Sequence, residues 1–505
     1  MGPIKKVLVA NRGEIAVRVM RTLKSMGIGT VAVYSEADVG SLHVLLADES
    51  CMIGPAAASE SYLVIEKIIH AARTSGADAV HPGYGFLSEN ASFARACAEA
   101  GLIFIGPRPE TIEKLGNKLE ARALAVLADV PTVPGSGGPV ANAAQALERA
   151  TEIGFPILLK AAAGGGGKGM RSVRCAADLS EAFDRATSEA RSAFGDASVY
   201  VERLVEEPHH IEVQIFADSH GNVVHLEERE CSIQRRHQKL VEESPSPTID
   251  AALRSKLGES AIRIARASQY LGAGTVEFLV DGSGNSYFLE VNTWLQVEHP
   301  VTELVTGLDL VRWQIEVAQG KELPLAQDQI IHRGAAIEVR LYAEDPIHGF
   351  LPSPGKIHRL ERLPAPGVRE DTGVVEGARV TPDYDPLVSK IIAWGEDRPQ
   401  AIARLKGYLM DSTTLGIRTT AGFFLDLLDH PEFRAGRMTT AFLEDFPEVL
   451  AGAITQEQRD LAAVAAALIA TYRAQNRRVQ MGASTSGWQN SGRRQATSRS
   501  TLLRG

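Results

Sequence analysis

Seven short segments in the first hundred or so residues alternate between β-like and helical patterns, and this restricts the fold more than any other feature of the sequence. Residues 7–10, 30–34, 79–81 and 103–105 are compact apolar runs; 13–24, 64–74 and 93–100 carry helical spacing between them. Parallel strands need long crossovers, usually helical, so the alternation predicts a doubly wound parallel α/β domain ending near Pro109. Helical stretches follow at 109–127 and 143–153, then a strand at 156–160. From residue 199 the pattern turns β-rich, with strands at 212–217, 223–230, 275–280 and 287–291, a helix at 252–271, and helices at 400–409 and 420–428. At roughly 150 residues per domain, a chain of 505 residues holds about three.

Charge and cysteine usage narrow the class. The net charge is −9, but from Thr471 onward there are seven Arg and no Asp, Glu or Lys, which leaves the first 470 residues at −16. Such a body is the opposite of a nucleic-acid-binding surface. Cys51, Cys97, Cys175 and Cys231 stand far apart without a CxxC pair, so neither a disulfide framework nor a zinc site is written, and a reducing cytoplasm is expected. The apolar run at 7–10 is too short for a signal peptide, and that at 461–470 is half a membrane span. No membrane partner is expected.

Three constellations carry chemistry. Gly164, Gly165, Gly166 and Gly167 lie between Lys160 and Lys168 and between two β-like runs. Gly164, Gly166 and Gly169 formally satisfy GxGxxG, but a strand-like run follows where the dinucleotide fingerprint opens a helix. The P-loop pattern fails as well, with Ala162 at its first Gly and Gly169 at its Ser/Thr. A flexible linker is the plain alternative; the bracketing lysines favour a hairpin tip that turns backbone N–H groups toward phosphate.

The second constellation follows from register. The runs at 275–280 and 287–292 flank a strong turn sequence, and a turn centred on Ser283-Gly284 pairs Glu277 with Glu290 and Thr275 with Asn292. Val276, Phe278 and Val280 are then expected opposite Val291, Leu289 and Tyr287 on an apolar face. Two carboxylates directly opposite repel unless something positive lies between, and two Glu with one Asn carbonyl suit Mg²⁺. Otherwise both Glu point into water. The third constellation is Glu227-Glu-Arg-Glu-Cys-Ser-Ile-Gln234-Arg-Arg-His237-Gln-Lys239, either a solvated helix face or a site that grips an anion.

Together these segments resemble the biotin carboxylase family of ATP-grasp enzymes. The resemblance rests on Val9-Ala-Asn-Arg-Gly-Glu-Ile-Ala16, His81-Pro-Gly-Tyr-Gly-Phe-Leu-Ser-Glu-Asn90, Lys160 with its glycine loop, Glu230-Cys-Ser-Ile-Gln-Arg-Arg-His-Gln-Lys239 and Gln296-Val-Glu-His-Pro-Val-Thr-Glu303. It implies a multidomain α/β and α+β chain: an N-terminal α/β domain at 1–110 and an ATP-grasp domain at 111–330, with its lid at about 130–203. A biotin carboxylase C-terminal domain at 331–446 and a helical segment with a basic, disordered tail at 447–505 complete it. The implied reaction uses ATP, Mg²⁺ or Mn²⁺, and bicarbonate to carboxylate biotin on a carrier in trans, through carboxyphosphate. Lys118, Lys160, Gly165, Gly166, Lys168, Glu202, His210, Gln234 and His237 are implied at ATP, and Glu277, Glu290 and Asn292 at the metal. Lys239, Val297 and Glu298 are implied at bicarbonate, Glu298 as its base and Arg340 as stabiliser of the enolate-like biotin oxygen. A carrier protein or domain, a carboxyltransferase subunit and a second copy of the chain are the implied partners.

The chain departs from the family in three places. Trp294 stands where the family has an Arg that grips bicarbonate, and Asn117 where it has Asp. No Met-Lys-Met biotin-attachment tripeptide occurs; residues 461–473 and 486–494 resemble only the entry to the interaction domain of a longer α-subunit. The readings that compete are an ATP-binding pseudoenzyme or impaired carboxylase, disabled by Trp294, and a different ATP-grasp carbon–nitrogen ligase.

Overall fold

The computed structural model describes residues 3–161, 170–450, 460 and 463–472, and the chain divides into two compact units, Met1–Leu450 and Ala451–Gly505. In the first unit β1 (Lys6–Val9), β2 (Gly29–Ser35), β3 (Glu49–Gly54), β4 (Ala79–His81) and β5 (Ile103–Phe104) form a parallel sheet in the order β3-β2-β1-β4-β5. Val7, Leu8 and Val9 of the central strand are wholly buried, as a strand with both faces covered requires. The edge strand β3 is absent from the sequence reading; its apolar run, Cys51-Met52-Ile53, is short and follows the exposed polar Glu49 and Ser50.

The stretch expected to be helical at 109–127 is two helices, Pro109–Gly116 and Lys118–Leu127. Asn117 separates them: its side chain accepts from the N–H groups of Leu119 and Glu120, at 3.0 and 3.2 Å, and caps the second helix. Next, β6 (Ile157–Ala161), β7 (Met170–Val173) and β8 (Val199–Arg203) make an antiparallel sheet in the order β7-β6-β8, with Lys160 opposite Met170. The glycine-loop expectations at Gly164, Gly165, Gly166, Gly167, Lys168 and Gly169 lie outside the described residues. A helix the sequence reading passed over, Leu179–Phe194, covers this sheet with Leu179, Phe183, Ala186 and Ala190, the spacing of one helical face.

The largest sheet contains β9 (His209–Ala217), β10 (Val223–Arg235), β11 (Gln238–Ser244), β12 (Gly272–Val280), β13 (Ser286–Asn292) and β14 (Ala335–Tyr342). Strands Leu387–Gly395 and Val368–Thr372 complete the order β13-β12-β9-β10-β11-β14 and onward to that edge. The charged run from Glu227 to Lys239 is therefore hairpin rather than helix. Arg235 pairs with Gln238, so Arg236 and His237 alone make the turn, with φ of +51° and +64°. Side chains rarely occupy that region; together it costs about 2–4 kcal/mol, which the strands on either side impose.

In the β12–β13 hairpin Glu277 faces Glu290 and Thr275 faces Asn292, but the register shifts immediately afterwards, so Phe278 faces Phe288 and Leu279 faces Tyr287. The expectation of Leu289 and Tyr287 on the apolar face is thus corrected. A bulge at Leu289 resets the alternation, and Phe288 and Val291 join Val276, Phe278 and Val280 in the core. β14 has two buried faces of different character. Ile337, Val339 and Leu341 enter the core with Leu405 and Phe424, whereas the alternate positions Glu338 and Arg340 follow Ala336 on the face toward the helix His299–Thr306. In the second unit residues 463–472 are helical, with Val464, Leu468, Ile469 and Tyr472 exposed. The motif at 486–494 and most of the arginine-rich end lie outside the described residues. Among the described residues no helix is long and apolar enough to cross a membrane.

Candidate active site

Polar residues alternate along β9 at His210, Glu212 and Gln214, all buried, and this row forms the floor of a charged cluster. Lys239 reaches it from β11. Its Nζ donates to Glu298 at 2.6 Å, to Glu277 at 2.8 Å and to Glu212. Arg340 on β14 donates from Nη2 to Glu298 at 2.9 Å and stands 2.5 Å from Glu242. Glu298 precedes the helix His299–Thr306 and is 2% exposed, so it meets both cations away from water. Burial alone would raise its carboxyl, but Lys239, Arg340 and Arg229 outweigh that and hold it below the usual carboxylate range. The same balance runs the other way for Lys239: burial would lower the ammonium, yet Glu212, Glu277 and Glu298 raise it well above normal.

A further cation beneath the cluster escaped the sequence reading. Arg229 is wholly buried and bonds to Glu212, to Gln214 at 2.8 Å, Thr302 at 3.0 Å, Thr275 at 3.1 Å and Gln296 at 3.3 Å. It fixes Glu212 and Gln296, which in turn face Lys239. On the other side Lys390, also wholly buried, donates to the Val297 carbonyl at 2.6 Å and lies 3.2 Å from Glu14, a carboxylate bonded to the Tyr84 hydroxyl. Val297, expected at bicarbonate, is thus held by its backbone. Trp294 lies half-buried in the loop after β13, and its indole makes no hydrogen bond among the described residues.

The expected metal residues fit a hard cation. Glu277 Oε1 accepts from Lys239, Asn292 at 2.7 Å and Gln296 at 2.9 Å, whereas Oε2 takes only His210 Nε2 at 2.8 Å and keeps lone-pair capacity. Asn292 donates through its amide nitrogen, which leaves the amide oxygen as a ligand atom. Opposite, Glu290 forms no hydrogen bond among the described residues; Lys118 stands 3.7 Å away. Burial and then Glu277 push the Glu290 carboxyl up.

The expected ATP residues divide into two groups. His210 sits between Glu277 and Gln234, whose amide donates to Nδ1 at 2.6 Å, so the ring proton is on Nε2. Lys160 pairs with Glu202 at 2.6 Å, and so does Arg122, a residue the sequence reading did not select. His237 stands exposed at the hairpin tip and Lys118 beside Glu290, neither joined to the Lys160 group by a hydrogen bond.

Comparison with known proteins identifies the arrangement. The model for the biotin carboxylase N-terminal domain matches residues 3–112, that for the carbamoyl-phosphate synthase L chain ATP-binding domain matches 117–326, and that for the biotin carboxylase C-terminal domain matches 338–445. The biotin carboxylase of Halalkalibacterium halodurans is 53% identical over 448 residues, covering 89% of this chain and 99% of that one. The propionyl-CoA carboxylase alpha chain of Ruegeria pomeroyi is 48% identical over 490 residues, 93% of this chain and 72% of its own length. The biotin carboxylase domain dimer of the Hydrogenobacter thermophilus 2-oxoglutarate carboxylase, solved with MgADP, ADP and bicarbonate, superposes with a TM-score of 0.85 at 45% identity, covering 89% of this chain and 99% of that one. With the charged cluster built across strands β9 to β12 and β14 of the largest sheet, and these matches across nearly the whole first unit, the chain belongs to the biotin carboxylase family of ATP-grasp enzymes.

Proposed function

We infer that this chain catalyses the ATP- and bicarbonate-dependent carboxylation of biotin through carboxyphosphate, with biotin borne on a separate carrier protein or domain. One observation carries the reading: Glu298 is held at once by Lys239 at 2.6 Å and Arg340 at 2.9 Å, a carboxylate between two cations and out of water. Bicarbonate entering this cluster competes with Glu298 for both cations. As they turn to the substrate, Glu298 loses the charges that depress its basicity and becomes able to take the bicarbonate proton as the oxygen attacks phosphorus. Phosphoryl transfer demands positioning above all, and Lys239 supplies it. Arg340 then faces the enolate-like oxygen of biotin, a charge that develops during reaction and that a fixed guanidinium stabilises.

Lys118, Lys160, Glu202, His210, Gln234 and His237, with Gly165, Gly166 and Lys168 of the glycine loop, hold ATP in this reading. Glu277, Glu290 and Asn292 hold Mg²⁺ or Mn²⁺, which when bound neutralises charge on the transferring phosphoryl group. We propose the division at 1–110, 111–330 with its lid, 331–446 and 447–505, a cytoplasmic setting, a homodimer as in the H. thermophilus relative, and a carboxyltransferase subunit as the acceptor of carboxybiotin.

The test is ATP turnover with and without bicarbonate and free biotin. Turnover that needs bicarbonate and rises with biotin supports the reading. Dependence on an amine or amino acid in place of biotin would favour another ATP-grasp ligase, and tight ATP binding without bicarbonate-dependent turnover would favour the pseudoenzyme.

A further inference from the structure

Glu242 on β11 lies directly opposite Glu338 on β14, and neither side chain has any exposed surface. Glu242 stands 2.5 Å from Arg340 Nη2 without a well-directed hydrogen bond, and neither oxygen of either carboxyl has a hydrogen-bond partner among the described residues. We propose that Glu242 and Glu338 share a single proton and act as positioning residues that hold Arg340 toward the reacting groups; this rests on the role given to Arg340 above.

The charges around the pair require it. Arg340 already serves two carboxylates, Glu298 and Glu242. Lys239, from β11, is taken by Glu212, Glu277 and Glu298. From the strand Leu387–Gly395, Lys390 is taken by the Val297 carbonyl and Glu14, and Asp371, on the next strand, is paired with Arg369. The helix His299–Thr306 contributes two buried titratable groups, His299, which burial keeps neutral, and Glu303, which is paired with Arg18 and Arg369. The opposite face of β14 is apolar. Among the described residues the cations nearest the pair, Arg340 and Lys390, are each already engaged by another carboxylate, and two bare carboxylates across adjacent strands repel strongly in such a medium. A proton on one of them removes the repulsion and leaves the other as a carboxylate for Arg340. Burial lifts both carboxyls above their ordinary range, against Arg340 for Glu242 and against Lys390 for Glu338. The proton is therefore held at neutral pH and leaves as pH rises. Once it has left, the extra negative charge draws Arg340 down from the substrate side.

Two measurements on the full chain test this. Infrared spectroscopy at pH 7 reads the carbonyl stretch of a buried protonated carboxyl: the band is expected in the wild type, fading at alkaline pH and missing in Glu338→Gln. The second is the ratio of biotin-stimulated to biotin-independent ATP turnover across pH. It is expected to fall at least about fivefold between pH 7 and pH 9.5 in the wild type, to stay within about twofold in Glu338→Gln, and to fall at a displaced pH in Glu338→Asp. Glu242→Gln should lower the biotin-stimulated kcat at least about tenfold while the KM for ATP stays within about twofold. Absence of the band, or an unchanged alkaline fall in Glu338→Gln, overturns the proposal. A wild-type chain with no biotin-stimulated turnover overturns the functional reading and the positioning role with it, while the band still decides whether the proton is there.

Discussion

Two of the glutamate pairs that face each other across adjacent strands of the largest sheet, Glu277 with Glu290 and Glu242 with Glu338, resolve the same repulsion differently. At the β12–β13 edge, Glu277 is buried and surrounded by Lys239 and His210, while the Glu290 side chain keeps 36% of its surface exposed beside Lys118. In the middle of the sheet, Glu242 and Glu338 have no exposed surface, and Glu242 stands beside an Arg340 guanidinium that also serves Glu298. The edge pair keeps one side chain at the surface, where a hydrated cation or a nucleotide's metal can enter, whereas Glu242 and Glu338 are closed to water. Glu212 and Glu277, which also face each other in the interior, are matched by Lys239 and Arg229, so the cations within reach decide how each pair is answered.

The comparison is broken most severely at Glu298, which shares Lys239 with the edge pair and Arg340 with the interior pair. Glu298→Gln should lower biotin-dependent turnover by roughly 10²–10⁴-fold, the usual worth of a positioned proton acceptor, with MgATP binding retained in a nucleotide titration. Next is stability: Arg229→Met leaves Glu212 buried without its guanidinium and should cost about 3–5 kcal/mol in chemical unfolding, whereas Glu338→Gln, which replaces a protonated group by a neutral one, should cost under about 1 kcal/mol. At the edge, Glu290→Gln should raise the Mg²⁺ concentration for half-maximal turnover at least roughly tenfold, an effect Glu338→Gln should not reproduce. The smallest effect is expected beside the sheet. Trp294→Arg restores a charged fork of donors and should lower the KM for bicarbonate about tenfold, given about 1.5–3 kcal/mol for a charge-assisted hydrogen bond.

How far the sequence discloses this site depends on the range of the contact. Glu277 and Glu290 are joined by a short turn, so counting residues pairs them correctly; the same count fails two residues later because nothing in the sequence announces the bulge at Leu289. The parallel N-terminal sheet is legible in its inner strands, and fails at the edge strand β3, where the short run Cys51-Met52-Ile53 follows the exposed Glu49 and Ser50. Arg229, Glu212 and Gln296 come together only when β9, β10 and the loop after β13 are assembled, so no local spacing points to them. A signal was nevertheless present: polar residues at every second position, His210-Glu212-Gln214 and Glu338-Arg340, mark strands buried on both faces with one face devoted to charge. The helix Leu179–Phe194 carries a legible signal too, the apolar spacing of Leu179, Phe183, Ala186 and Ala190.

The nucleophile that receives the carboxyl group separates biotin carboxylation from every competing chemistry. Labelled bicarbonate, MgATP and free biotin incubated with the full chain should yield acid-labile label on biotin in step with ADP release, and Glu298→Gln should abolish that label. ADP release with no label on biotin, or label appearing only on an amine, would contradict it.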